Sequence, residues 1–173
     1  YLKSFDEMWQ ARTFDVQSFK QLTEDIQWLS FGYFSISVPY RWSELDESEH
    51  NHGTPAMMKV KDINLSYTHC DDYGIKWLLK NKHLYNVKHL YLHQCDIGGD
   101  GLTALAKATH LTSLNTLYMS DNHIGTWDKR LTPLVNSQLL TQLQVLDLGK
   151  NKLHAEALIS FVQSPSIGNL RKL

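Results

Sequence analysis

Apolar residues in this chain follow a motif that returns at a near-constant interval. The segments Val60-Lys-Asp-Ile63-Asn-Leu65, Val87-Lys-His-Leu90-Tyr-Leu92, Leu114-Asn-Thr-Leu117-Tyr-Met119 and Leu143-Gln-Val-Leu146-Asp-Leu148 each carry apolar side chains at positions 1, 4 and 6. A fifth copy opens at Leu170 and Leu173. The starts fall at 60, 87, 114, 143 and 170, so the steps are 27, 27, 29 and 27 residues. Positions 4 and 6 have the two-residue period of a strand with one face buried. Between the strands the apolar spacing widens to that of a helix, as in Gly101–Ala108 and Ala155–Val162. Trp77, Leu78 and Leu79 serve the first repeat in this way, and Leu131, Leu134 and Val135 serve the third. Gly98-Gly99-Asp100-Gly101 makes a turn that can start the helix behind it.

Three residues past position 6 come Thr68, Cys95, Asn122 and Asn151, and two further on come Cys70, Ile97, Ile124 and Leu153. The whole resembles the leucine-rich repeat pattern L-x-x-L-x-L-x-x-N/C-x-L. The resemblance covers residues 60–173, and Thr68 departs from it. A strand and a helix in 27–29 residues is similar to the ribonuclease-inhibitor type of the family. The resemblance implies an α/β solenoid: a right-handed coil with a concave parallel β-sheet and convex helices. One repeat cannot bury its own apolar face, so neighbours must stack.

The part before the repeats is different. Leu2, Leu22, Leu29 and Leu45 are the only leucines before Leu65. Phe5, Met8 and Trp9, and then Phe19, Leu22, Ile26 and Leu29, form apolar stripes at helical spacing. Phe31–Val38 reads as a short strand ended by Pro39, with Tyr33, Ile36 and Val38 one repeat length before the first motif. An acidic polar loop follows to about residue 57. We therefore expect residues 1–57 to form a mainly helical N-terminal cap with a capping strand, and residues 58–173 to hold about four repeats and the start of a fifth. The chain opens at Tyr1 without a basic-then-apolar leader and closes inside a repeat, from which a longer natural protein is expected. An uncapped repeat end is consistent with a monomer or a weak dimer.

The register also sorts side chains by face. Positions 3, 5 and 7 point away from the core. Position 5 brings Asn64, Tyr91, Tyr118 and Asp147 side by side, position 3 brings Asp62, His89, Thr116 and Val145, and position 7 brings Ser66, His93, Ser120 and Gly149. Tyr67, Gln94, Asp121 and Lys150 lie just past the strands. Aromatic side chains on a rigid surface bury large area at low entropic cost, which suits recognition of another protein. The competing role for the tyrosines is a ladder that only stiffens the sheet. The expected partner-binding residues are Asn64, Tyr67, His89, Tyr91, His93, Tyr118, Asp121 and Asp147.

Composition narrows the function by exclusion. The 173 residues carry 17 basic and 18 acidic groups, a net charge of −1, without the basic surplus usual in a nucleic-acid binder. No apolar run approaches the roughly 20 residues of a membrane-spanning helix. Nine histidines raise the possibility of a metal, yet His89 and His93 stand roughly 13 Å apart along one strand. His50-Asn51-His52 belongs to the acidic loop and reads as solvated. No metal site and no cofactor are expected. Cys70 and Cys95 read as buried free thiols rather than a disulfide, which weakly favours a reducing, cytoplasmic compartment. Asn64-Leu65-Ser66 matches a glycosylation acceptor but falls inside a strand. Trp42 and Trp127 are the tryptophans placed where exposure is expected. Signatures for nucleophiles, phosphate loops and zinc hydrolases are missing. An active site within residues 1–57, using groups such as Asp6, Arg12, Arg41 or His50, is a minor alternative.

These readings converge on a non-enzymatic module that presents a rigid concave sheet to a protein partner. The alternative is the recognition or regulatory part of a larger enzyme or secreted bacterial effector. Phrases such as Met119-Ser-Asp-Asn122-His-Ile124-Gly125 look like bacterial members of the family, some of which are delivered into host cells.

Overall fold

A computed structural model describes residues 28–30 (backbone only), 60–68, 70–125 and 131–173. Five strands run parallel in chain order: β1 (Trp28–Ser30), β2 (Asp62–Asn64), β3 (His89–Tyr91), β4 (Thr116–Tyr118) and β5 (Val145–Asp147). Between them lie α1 (Asp71–Leu78), α2 (Gly99–Ala106), α3 (Thr132–Val135) and α4 (Gln138–Gln142), and after β5 comes α5 (Ala155–Val162). This is the arrangement of an α/β solenoid. β2, β3 and β4 are continued beyond their third residues by backbone bonds to the next strand: Leu65 N–H to Tyr91 O at 2.9 Å, Leu92 N–H to Tyr118 O at 2.7 Å and Met119 N–H to Asp147 O at 2.8 Å. The fifth motif joins the far edge: Lys172 bridges to Val145, and Leu146 N–H donates to Lys172 O at 3.1 Å.

The core lies between the sheet and the helices. Position 4 supplies Ile63, Leu90, Leu117 and Leu146, each 1% exposed or less. Ile75, Leu102, Leu105, Leu134, Leu140 and Phe161 come to the same cluster from the helices. Burying each of these side chains contributes about 1.5–3 kcal/mol, and stacking repeats is what removes them from water. The helices follow the order of the strands, α1 beside α2 and α2 beside α3 and α4. The third repeat splits its helical part in two, which the apolar spacing did not show. Ser137 ends one piece and caps the next, its Oγ accepting from Leu140 N–H at 3.1 Å.

Buried polar groups tie each turn to the one before. Asn122 Nδ2 donates to Leu92 O at 2.7 Å and to Met119 O at 2.9 Å, while its Oδ1 accepts from Cys95 N–H and Ile97 N–H, both at 3.0 Å. Asn151 repeats the pattern on Met119 O and Leu148 O at 2.7 and 3.0 Å. Cys95 plays the same part with a thiol, Sγ to Leu65 O at 2.9 Å. Thr68 Oγ1 donates within its own repeat, to Leu65 O at 2.6 Å. Cys70 and Cys95 are both free and fully buried.

Helix starts are shared in the same way. Asp71 caps its own helix, Oδ1 accepting from Tyr73 N–H at 2.7 Å. Asp72 serves its neighbour instead: its Oδ1 accepts from Gly98 N–H at 2.7 Å and Gly101 N–H at 2.8 Å, closing the start of α2. A Cβ at position 101 would stand 2.7 Å from that oxygen, so glycine is needed for the approach.

One expectation is corrected. The strand that pairs with β2 is Trp28–Ser30, with Leu29 opposite Ile63, although the apolar stripe through Leu29 reads as helical. Pairing with the sheet overrides that local pattern, as three residues of helical spacing carry little energy of their own. The connection from β1 to β2 is therefore longer than one repeat. The capping strand expected at Tyr33–Val38, the acidic loop with His50 and His52, Trp42 and Trp127 lie outside the described residues, as do the groups of the minor active-site alternative.

Candidate recognition face

The alternation that buries position 4 turns positions 3 and 5 to the other side of the sheet, where no helix among the described residues covers them. In the pairing register Asp62, His89, Thr116 and Val145 stand in one row, and Asn64, Tyr91, Tyr118 and Asp147 in the next. These rows are the ones the sequence spacing gives. Neighbouring strands are about 4.8 Å apart, close to the spacing at which aromatic rings stack. Tyr91 and Tyr118 do so, with centroids 5.3 Å apart and planes 7° from parallel.

Beyond each of β2 to β5 the chain turns through a left-handed residue. Tyr67, Gln94, Asp121 and Lys150 occupy this place in successive repeats, with φ of 64°, 49°, 57° and 55°. A left-handed backbone is uncommon outside glycine, and its return at one register position marks it as part of the repeat. The turn brings Tyr67 edge-on to His93, with centroids 4.9 Å apart and an angle of 73°. His93 Nδ1 lies 2.8 Å from Ser120 Oγ, and its backbone N–H donates to Ser66 Oγ at 3.3 Å. Asn64 Oδ1 accepts from Ser66 N–H at 2.9 Å.

Together these groups shape an open hollow of about 390 Å³. Tyr67, Tyr91 and Tyr118 supply aromatic surface, and Asn64, Ser66, His93 and Ser120 supply polar atoms. Burial lifts the Tyr91 phenol above its usual pKa, and the charges of Asp62 and Tyr118 push the same way. The phenol is therefore neutral at ordinary pH, a group able both to donate and to accept a hydrogen bond.

Of the expected binding residues, Asn64, Tyr67, Tyr91, His93 and Tyr118 meet in this hollow. The other three do not line it. His89 is at the opposite end of its strand, its Nδ1 in close contact with Asp62 Oδ1. Asp147 stands beside Tyr118 and accepts from Gly149 N–H at 2.9 Å. Asp121 is at the strand's far edge, its N–H donating to Gly149 O at 2.9 Å. Ser66 and Ser120 belong to this face by register and line the hollow, although they are not among the expected binding residues. Small hydroxyls attract little notice in a sequence, yet both line the hollow. The register places Asp62 on the face, and its contact with His89 is a feature the spacing does not report.

The two buried thiols are shifted away from reactivity. Burial pushes the Cys95 thiol up to about 11, and the Cys70 thiol is raised further by burial and by the charge of Cys95. Neither supplies a thiolate nucleophile at neutral pH. Among the described residues, groups of three or more histidine, cysteine or acidic side chains placed to hold a metal ion do not occur. Also among them, no helix is long and apolar enough to cross a membrane.

Stacked strand–helix units with an uncovered sheet face define an α/β repeat protein. A family model described as Leucine Rich repeat matches residues 83–106 and 109–126, so the chain carries leucine-rich repeats there. Comparison with curated proteins gives no match. Such repeats generally mediate contacts between proteins.

Proposed function

We propose that this chain is a protein-recognition module that offers the concave face of its sheet to a protein partner and performs no catalysis of its own. The observation that carries the reading is the Tyr91–Tyr118 stack, two large rings held parallel on an uncovered face beside a hollow lined in part by polar groups. Two such rings lose little conformational freedom on binding because the sheet already fixes them. Residues 1–57 act as the cap and residues 58–173 as the recognition array in this reading. The test is affinity capture from a lysate with the whole chain and with the double change Tyr91→Asp and Tyr118→Asp, both first shown to melt cooperatively. Loss of a specifically captured protein in the double variant supports the reading. Equal capture by both moves the binding surface elsewhere.

A further inference from the structure

The reading above names a face but not what fits its hollow. Side chains at one register position stand about 4.8 Å apart on neighbouring strands, within the range at which aromatic rings stack. At position 5 that spacing holds two rings, Tyr91 on β3 and Tyr118 on β4, with planes 7° from parallel. Tyr118 covers one face of the Tyr91 ring. The other face turns toward β2, where position 5 is Asn64. Asn64 is short, and its Oδ1 accepts from Ser66 N–H at 2.9 Å, which folds it back along its own strand. The third place in the row therefore carries no ring of the chain's own.

The hollow opens on that side of the stack. Asn64, Ser66 and Tyr67 of the first repeat line it, whereas Asp147 and Gly149 on the β5 side do not. Tyr67 and His93 stand at its end beyond the strands, in edge-on contact with centroids 4.9 Å apart. Among the described residues, its lining holds no carboxylate, lysine or arginine. An ionic occupant gains little there, and a neutral ring fits the aromatic walls. Polar capacity is available as well. Ser66 Oγ accepts from His93 N–H at 3.3 Å, and Ser120 Oγ shares a bond with His93 Nδ1 at 2.8 Å. A hydroxyl has one donor and two lone pairs, more than these contacts use. A volume of about 390 Å³ is ample for one phenol ring.

We propose that the hollow takes a tyrosine side chain of the partner protein, its ring laid on the β2-facing side of Tyr91 as the third member of the stack. Its hydroxyl bonds among Ser66, His93 and Ser120. The inference rests on the protein-recognition reading and names the anchor that the partner supplies.

The probe is the peptide acetyl-Gly-Gly-Tyr-Gly-Gly-amide, titrated into the full chain by NMR beside peptides with phenylalanine or leucine at the centre. The tyrosine peptide is expected to bind about three- to tenfold more tightly than the leucine peptide, the order of one aromatic pair, with phenylalanine between them. Its ring protons are expected to move upfield and to show Overhauser contacts with Tyr91 and Asn64. Asn64→Tyr supplies the third ring from the chain itself and is expected to weaken the tyrosine peptide at least about fivefold. Asn64→Ala, which adds no ring, is expected to keep binding within about twofold. Should Asn64→Tyr fail to melt cooperatively, the comparison peptides and the ring contacts of the wild type decide on their own. Equal or tighter binding of either comparison peptide, ring contacts on the Asp147 side of Tyr118, equal binding loss in both Asn64 variants, undiminished binding in folded Asn64→Tyr, or no binding of the tyrosine peptide overturns the proposal. The Tyr91→Asp, Tyr118→Asp capture decides the protein-recognition reading separately. A protein lost in that variant but captured undiminished by Asn64→Tyr sinks only the tyrosine-anchor proposal.

Discussion

The two faces of the sheet obey different rules. On the covered face position 4 reads Ile63, Leu90, Leu117 and Leu146, four aliphatic side chains that differ by little more than branching. On the uncovered face the adjacent position reads Asn64, Tyr91, Tyr118 and Asp147, which share neither size nor charge. Stacking forces the first series to be alike, because each side chain fills the same volume against a neighbouring turn. Nothing in the stacking constrains the second. Variation on a framework that does not require it is what a recognition surface needs, while uniformity is the signature of the core.

The sharpest way to break this contrast is to exchange the rules at neighbouring residues. Leu117→Asp places an uncompensated charge where exposure is nil, and the expected outcome is loss of cooperative folding, read as a missing urea transition. Asn122→Ala comes next. It strips the side-chain partner from the Leu92 carbonyl and from the Cys95 and Ile97 amides, while Met119 O keeps its bond from Asn151. A fall of about 3–5 kcal/mol in unfolding free energy is expected, measured by the urea midpoint, since each orphaned buried group costs about 1–3 kcal/mol and some relaxation follows.

A pH series probes the covered side more gently. The folded pKa of Cys95 stands near 11 against an ordinary 9.0, so folding favours the neutral thiol. The associated stability is complete below about pH 9 and is lost as pH rises toward 11. Thermal melts of wild type and Cys95→Ala across that window are expected to converge as pH rises; parallel curves would mean the thiol is not coupled to folding. The smallest effect on stability belongs to the uncovered face. Tyr118→Ala is expected to cost no more than about 1 kcal/mol, the order of one aromatic pair, while abolishing capture of a partner. A large drop in melting temperature would instead make the tyrosine stack a structural ladder.

Much of this architecture could be read in the order of residues. Apolar positions 1, 4 and 6 gave the strands and their register, and α5 at Ala155–Val162 coincides with the helix read from spacing. Periodicity works here because the same local geometry is required in every turn. It fails where energy comes from somewhere else in the chain. Trp28–Ser30 becomes a strand through pairing with β2, which local spacing cannot report. Asp72 looks like the start of its own helix, but its oxygen serves the next one, a role visible only once α1 and α2 lie side by side. Tyr67 was legible as an edge residue, whereas its left-handed backbone and edge-on contact with His93 were not. The hollow is therefore half legible: the tyrosines announced themselves, and the serines that line it with them did not.

The two thiols make the molecule a clock for its own opening. Cys70 follows β2 and Cys95 follows β3, and an alkylating reagent reaches neither until the turns around it part. Because Cys95 holds the Leu65 carbonyl of the preceding turn, its exposure reports separation of those two turns. If the array frays one turn at a time, the two sites are labelled at different rates. If it opens as a block, they are labelled together. The ratio of the rates thus measures how far a disturbance travels along the chain before it dies out, a length that a melting curve averages away.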